Sequence, residues 1–420
     1  MKPNRRVFVV GGAHSPFLGR GRPEFIWKGH PDYGVKSNPT LEQHMQVATL
    51  GALEATGVSP GAIQKAYVSN FLGECFSRQG HLGAMLAAVH PELEGIPIAR
   101  IEAACASGAA AIAACVDAMQ GGVDVTMVVG VEVETNSSTR DGIDYMARAA
   151  HYEQSRDWDS FTFPYVFARR AKHYKEAFGA TDLDIGRVVA KAYSNANRNP
   201  LAQMQAVQID AEWASTTSDH NAHFLSHPDY REHIRQADCT TFTDGGSAVI
   251  LATEEGLKRL SIPLSQCTEI LSYGHSVAGL GKETDPTRLT NMARAAGVAY
   301  ADAGVSASEV EVVEVHDCFS INELQHYEAL GLCGWGEAPE LVRSGATAID
   351  GRVPVNTGGG LLGFGHPIGA TGVKQVLEIW RQMKGQCGDY QMPATPSVGV
   401  TANLGGDDRT GIVMVHRNCA

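Results

Sequence analysis

The sequence predicts an α/β protein of two comparable halves, with a long insertion in the first. Short β-branched runs of nearly continuous apolar character recur along the chain, as strands buried on both faces require. Ala-rich stretches with helical spacing lie between them, and that alternation marks layered α/β architecture. Each half also carries a Gly/Ala-rich turn that opens a helix, ACASGAAAI in the first and GHPIGATGV in the second.

The strand runs are Val7–Val10, Val125–Val133, Ser247–Ala252, Val310–Val315 and Ile412–Val415. Leu41–Thr56 and Ala106–Met119 have helical spacing. The alternation breaks between about Asn136 and Thr243, where the chain is more polar and helical spacing returns at Val166–Phe178 and Leu183–Asn195. A structureless loop of that length is improbable, so the stretch reads as an insertion covering a site. Strand-like sequence resumes at FTDGGSAVILATEE, and a new round of strands starts near Thr268. The expected domains are 1–135 with 244–267, the insertion 136–243, and the second half 268–420. Gly19–Pro39 reads as an extra loop.

Composition sets bounds. A chain of 420 residues exceeds one ordinary core. With 44% hydrophobic and 19% charged residues it is an ordinary globular composition. A net charge of −12 argues against a nucleic-acid partner. No apolar stretch approaches a membrane span, and the run after Arg5-Arg6 is too short for a signal-peptide core. The ending RNCA is not a peroxisomal tripeptide. The nine cysteines lack close paired spacing, so neither a disulfide framework nor a zinc site is expected. The expected compartment is the cytoplasm.

Four segments hold groups suited to chemistry. Cys105 lies where an extended piece meets a small-residue helix, and the positive end of a helix dipole favours a thiolate. A lone cysteine there is more often a buried hydrophobe. A strand runs into His316-Asp317-Cys318, where positions two apart project to one side. The third, NTGGGLLGFGHPIGATG, places His366 before Pro367, which suits a loop entering a helix. It lacks the Lys-Ser/Thr of a P-loop and the spacing of a dinucleotide fingerprint. The fourth, TANLGGDD, offers the backbone N–H groups of Gly405 and Gly406. Singly, Cys105, His366 and the Gly405-Gly406 turn are better explained by structure, and only His316-Asp317-Cys318 is evenly balanced between structure and function. Together, a nucleophilic thiol, two imidazoles, a second thiol and backbone donors are the parts of an acyl-transfer site.

These residues resemble the thiolase superfamily. HDCFSINEL followed by YEALGLC is very like the sterol-carrier-protein-type thiolases, and GHPIGATG matches the superfamily histidine motif. The resemblance runs from RRVFVVGG to the last strand. It implies a five-layered αβαβα thiolase fold from two βαβαβαββ halves, with a loop domain over coenzyme A. It implies an acetyl-CoA C-acyltransferase that cleaves 3-ketoacyl-CoA with CoA, or forms it by Claisen condensation. Cys105 would be the nucleophile, His366 the group taking its proton, and Cys318 the second acid/base. In ordinary thiolases that second cysteine is C-terminal, at a position matching Asn403 here. His316 and His366 would hold the thioester enolate, and the N–H groups of Cys105 and Gly405 the tetrahedral oxyanion. Ser272 falls near a family serine that contacts pantetheine. The resemblance implies coenzyme A or acyl-CoA as substrate, no resident cofactor or metal, and a homodimer or homotetramer.

Some residues depart from that pattern. Asp407 and Asp408 follow the glycine pair, where carboxylates disfavour developing negative charge unless they point away. Glu134 stands where a methionine is expected. Arg169, Arg170, Lys172, His173 and Lys175 suit phosphates or a solvated helix face. Two other readings therefore stay open: a specialised thiolase-fold acyl transferase, and a catalytically weak acyl-CoA- or lipid-binding protein. Some fold relatives perform retro-aldol cleavage with a small partner, and the Cys105/Cys318 pair argues against that here.

Overall fold

The computed structural model describes residues 1–419. Its strands are β1 (Val7–His14), β2 (Lys65–Ser69), β3 (Ile98–Ile101), β4 (Val125–Val133), β5 (Asp244–Thr253), β6 (Thr268–Val277), β7 (Val312–Glu314), β8 (Val398–Gly405) and β9 (Thr410–Asn418). The helices used below are α1 (Leu41–Thr56), α2 (Ser107–Gln120), α3 (Thr162–Phe178), α4 (Asp182–Ala196), α5 (Thr290–Ala303), α6 (Ser320–Ala329), α7 (Gly360–Phe364) and α8 (Ile368–Met383).

The strands form one mixed sheet ordered β3-β2-β4-β5-β1-β6-β9-β8-β7. Its two flanks repeat one pattern. In the first, β1 runs antiparallel to β5, β5 antiparallel to β4, and β4, β2 and β3 parallel to one another. In the second, β6 is antiparallel to β9, β9 antiparallel to β8, and β8 parallel to β7. A parallel bridge from Val313 to Val355 stands where the first flank has β3. The internal duplication is thus visible in the topology. The flanks join where Val7–Val9 pair with Thr268–Ile270, so two sheets expected to be separate share hydrogen bonds.

Helices α2 and α8 form the middle layer. Helix α8 touches β1, β4 and β5 of the first flank and β7 and β8 of the second, and it touches α2. It is buried along its length except at Arg381. Helix α1 covers β1, β4 and β5 on the outside, and α5 covers β6 and β9. That is helix, sheet, helix, sheet, helix, the layering that the resemblance implies. Small residues permit the tight centre. A Cβ on Gly108 would lie 2.7 Å from the Gly372 backbone, so larger side chains would force α2 and α8 apart.

Local signals place the ends. Thr40 and Gln43 make a reciprocal capping box on α1, and Gly57 closes it at φ +67°. Tertiary pairing lengthens β1 and β5 beyond their most apolar residues. The run Val310–Val315 shortens to Val312–Glu314, because the chain leaves the sheet to build the turn at His316.

Between β4 and β5 the described residues form helices and turns without a strand of that sheet. Although this stretch follows the first half in sequence, it joins the second in space. Phe167 and Tyr174 of α3, with Val188 of α4, share one core with Leu324, Leu361 and Val400. Gly19–Pro39 forms no helix, and Arg22 Nη1 donates to the Pro200 and Ala202 carbonyls at 2.7 and 3.0 Å. No helix among the described residues is long and apolar enough to cross a membrane.

Candidate active site

Cys105 sits in the turn between β3 and α2, just before Ala106, the N-cap residue of α2. The preceding Ala104 has φ +50°, a left-handed conformation costing a non-glycine residue about 1–3 kcal/mol. Ser107 holds the turn: its hydroxyl donates to the Ala104 carbonyl at 2.6 Å and accepts from the Ala103 N–H at 2.9 Å. The helix dipole does not win here. Burial first, then the Glu134 carboxylate and also Glu132, push the Cys105 thiol up to about 12. Desolvation of a thiolate and two nearby like charges exceed the half-charge of a helix end.

His316 and His366 converge on this sulfur from the second half. One nitrogen of each ring and the Cys105 sulfur lie within 4.8 Å of one another. The rings meet edge to face at 4.9 Å between centroids. Burial keeps both neutral at ordinary pH: His366 is lowered to about 3 and His316 well below the usual range. Their outer hydrogen bonds give them opposite tautomers. An amide nitrogen only donates, so the Asn403 Nδ2 bond of 3.0 Å makes His316 Nδ1 an acceptor. The proton of His316 is then on Nε2, which is buried without a partner. The Thr371 hydroxyl donates to the Pro367 carbonyl at 3.1 Å and accepts from His366 Nδ1 at 2.6 Å. That leaves a lone pair on His366 Nε2. One imidazole is set to take a proton, and the other to donate to an oxyanion. The three convergent atoms also satisfy the spacing of a soft-metal site. The His316 tautomer does not fit that use, because Nε2 carries hydrogen rather than a lone pair.

Cys318 is buried on the same turn as His316, and Asn322 Nδ2 donates to its sulfur at 3.4 Å. Burial, Cys105 and Asp317 raise its thiol well above the usual range. Asp317 points the other way and accepts from the Leu361 N–H of α7 at 2.7 Å. Beside Cys105 lies an apolar cluster with Phe71, Phe76, Tyr145, Met146, Phe163 and Ile368, a suitable surface for an acyl chain.

The Gly406 N–H lies close enough to the Cys105 sulfur to favour its thiolate, against the burial and the two carboxylates that raise it. Gly405 is still paired with Thr410 in the β8–β9 hairpin, whereas Gly406 turns at φ +65°. Asp407 and Asp408 serve other partners. Asp407 pairs with Arg170 at 2.5 Å and accepts from the Thr284 hydroxyl at 2.8 Å. Asp408 accepts the Asn291 and Met292 N–H groups at the start of α5, at 2.8 and 3.0 Å. Ser272 is not brought to the site: it is fully buried, and its hydroxyl donates to Ala299 of the outer helix α5 at 2.5 Å. Among the basic residues of α3, Arg170 is buried on Asp407 and Lys175 pairs with Asp182 at 2.7 Å.

The sequence did not assign a role to the groups packed around Cys105, His316, Cys318 and His366: Asn403, Thr371, Asn322 and the acids Glu132 and Glu134. Asn403 and Glu134 carried a signal, since each stands where a different residue was expected.

Comparison with known proteins places the chain in a family. The thiolase N-terminal domain family matches residues 31–255, and the thiolase C-terminal domain-like family matches residues 272–418. An acetyl-CoA acetyltransferase of Methanothermobacter thermautotrophicus is 32% identical over 372 residues, covering 88% of this chain and 92% of that protein. Sterol carrier protein 2 of Homo sapiens is 27% identical over 417 residues, covering 96% of this chain and 70% of that protein. The solved structure of an Ltp2-ChsH2(DUF35) aldolase has a TM-score of 0.78 at 20% identity, covering 100% of this chain and 99% of that one, which is a likeness of fold. The chain belongs to the thiolase superfamily and is closely related to its sterol-carrier-protein-type members.

Proposed function

We propose that the protein is a thiolase-fold acyltransferase that carries an acyl group from acyl-CoA on Cys105. The observation that carries this reading is the opposed tautomers of His366 and His316 beside the thiol. Cys105 Sγ attacks the acyl carbonyl, and its proton passes to His366 Nε2. The Gly406 and Cys105 N–H groups receive the oxyanion, each such donor being worth a few kcal/mol in the transition state. With a 3-ketoacyl-CoA the carbon–carbon bond then breaks, and His316 Nε2–H holds the oxygen of the departing acetyl-CoA enolate. Cys318 gives its proton to the enolate carbon. The Cys318 thiolate next takes the thiol proton of incoming CoA, whose sulfur displaces Cys105 from the thioester. The leaving Cys105 regains its proton from His366. Claisen condensation is the reverse sequence. The apolar cluster beside Cys105 favours an apolar acyl group, and the family habit favours at least a homodimer.

A second reading, an acyl-CoA-binding protein with weak catalysis, is favoured by the Cys105 thiol at about 12 beside a His366 held near 3, a pair that rests uncharged. A CoA-dependent cleavage assay on acetoacetyl-CoA and a longer 3-ketoacyl-CoA, with intact-mass detection of acylated Cys105, separates the two. Acyltransfer predicts acylation that Cys105→Ala abolishes, and turnover that both Cys105→Ala and Cys318→Ala lose. Tight acyl-CoA binding without acylation of folded wild type would establish the second reading.

A further inference from the structure

Two acids from the end of β4 reach the start of α8, and the reaction above uses neither. Glu132 is fully buried and saturated: it accepts from Asn70 Nδ2 and the N–H groups of Phe71, Leu72 and Gly369, at 2.8 to 3.2 Å. Glu134, two residues on and equally buried, has a more selective set of partners. Its Oε1 accepts the Ile368 N–H at 3.0 Å, and its Oε2 accepts the Thr243 N–H at 3.1 Å. The Thr243 hydroxyl in turn accepts the His366 N–H at 3.1 Å and donates to Gln203 Oε1 at 2.6 Å. Glu134 thus closes a ring through Thr243, His366, Pro367 and Ile368. Its own N–H and that of Thr135 donate to Asp244 Oδ1 at 2.7 and 3.0 Å, which fixes the strand end carrying it.

We propose that Glu134 is a positioning residue for acyl transfer: its carboxyl group ties down the chain just after His366 directly, and His366 itself through Thr243, and so holds that base against the Cys105 thiol. The proposal rests on the acyl-transfer reading for its kinetic consequence, but not for its chemical one. Glu134 stands next after burial among the causes that hold Cys105 as a thiol, with Glu132 behind it. The ionisable groups around the pair are Glu132 on β4, Glu134 just beyond it, Asp244 on β5, and His316, Cys318 and His366 from the second half. In this arrangement Cys105 ionises as His366 accepts its proton, and stays protonated between turnovers.

The test compares full-length wild type, Glu134→Met and Glu134→Gln. Methionine removes both acceptors, whereas glutamine keeps one and removes the charge. Iodoacetamide alkylation of Cys105, followed by intact mass across a pH series, reads the thiol directly. Thiolysis kinetics read the base. Burial holds the Glu134 carboxyl itself well above the usual range, so the effect is read at alkaline pH, where it is ionised; there the alkylation profile of both variants should move to lower pH by about one unit, because a carboxylate near the sulfur is gone. The kcat should fall about 10- to 100-fold in Glu134→Met and less in Glu134→Gln, with KM for CoA unchanged, because the imidazole loses its anchors. A folded Glu134→Met with the wild-type alkylation profile, or with wild-type kcat, overturns the proposal. Should wild type itself show no thiolysis, the alkylation profiles still decide it. Should Glu134→Met fail to fold, the same two readouts on Glu134→Gln decide it.

Discussion

At the scale of single residues, the site is built by neutral groups whose hydrogen bonds choose their chemistry. Asn403 is the clearest case. Its amide donates to His316 Nδ1 and so puts the His316 proton on the buried, unpartnered Nε2. Asn403→Asp changes almost no volume but replaces that donor with an acceptor. The His316 proton then moves to Nδ1, and a lone pair faces the enolate oxygen. Turnover should fall by about 100-fold, in the range for loss of one oxyanion donor. Acylation of Cys105 should persist, since His366 and the Gly406 N–H are untouched. Steady-state kinetics with intact-mass analysis check both halves of this expectation, and loss of acylation as well would reject the division of labour between the imidazoles.

At the scale of elements, the segment after β8 shows how an apparent conflict in sequence becomes structural support. Asp407 and Asp408 lie beside Gly406 in the chain, yet their side chains serve α3 and α5. Asp408 fills the role of an N-terminal acceptor for α5 while nearly fully buried. Burial raises its carboxyl to about 6, despite the opposing pull of Arg170 and the two N–H groups. An unfolded aspartate titrates near 3.9. The folded state therefore binds this proton more tightly, and the contribution is fully present below about 3.9 and lost as pH rises through about 6. Asp408→Asn has no such titration. The stability of wild type relative to this variant should grow as pH falls from 7 to 4, by about 2–3 kcal/mol in all. Chemical denaturation at a series of pH values measures it, and a gap that stays constant would remove the burial argument for this residue.

At the scale of the whole molecule, each half completes the other. Cys105 comes from the first half, the two imidazoles and Cys318 from the second, and α2 and α8 meet at Gly108 and Gly372 to bring them together. The stretch between β4 and β5 adds a further tie, since α3 packs into the second half and its buried Arg170 pairs with Asp407. Arg170→Ala leaves Asp407 without its cation and should lower stability by about 3–5 kcal/mol, the usual result of breaking a buried pair from one side. Because that carboxylate is next to Gly406, the variant should also acylate Cys105 more slowly. Calorimetry and the rate of Cys105 acylation check the two effects, and a variant as stable as wild type would show that the pair is dispensable.

The sequence by itself determined what depends on local pattern. The α/β class follows from apolar runs and helical spacing, and Leu41–Thr56 is read to the residue because its capping box and closing glycine are both local. The motifs around Cys105, His316, Cys318 and His366 pointed to one site because those residue types make a single chemistry together. Tertiary structure decided what depends on burial and on distant partners. The Cys105 thiol is pushed up rather than down because Glu132 and Glu134 approach it from another strand. Gly405 stays in the hairpin and Gly406 turns out of it, a boundary that only the folded hairpin shows. The Ser272 hydroxyl meets the Ala299 carbonyl of α5, a place the sequence does not give, because a sheet has two faces. The histidine tautomers belong with these: a proton's place on an imidazole is set by the partner across the fold.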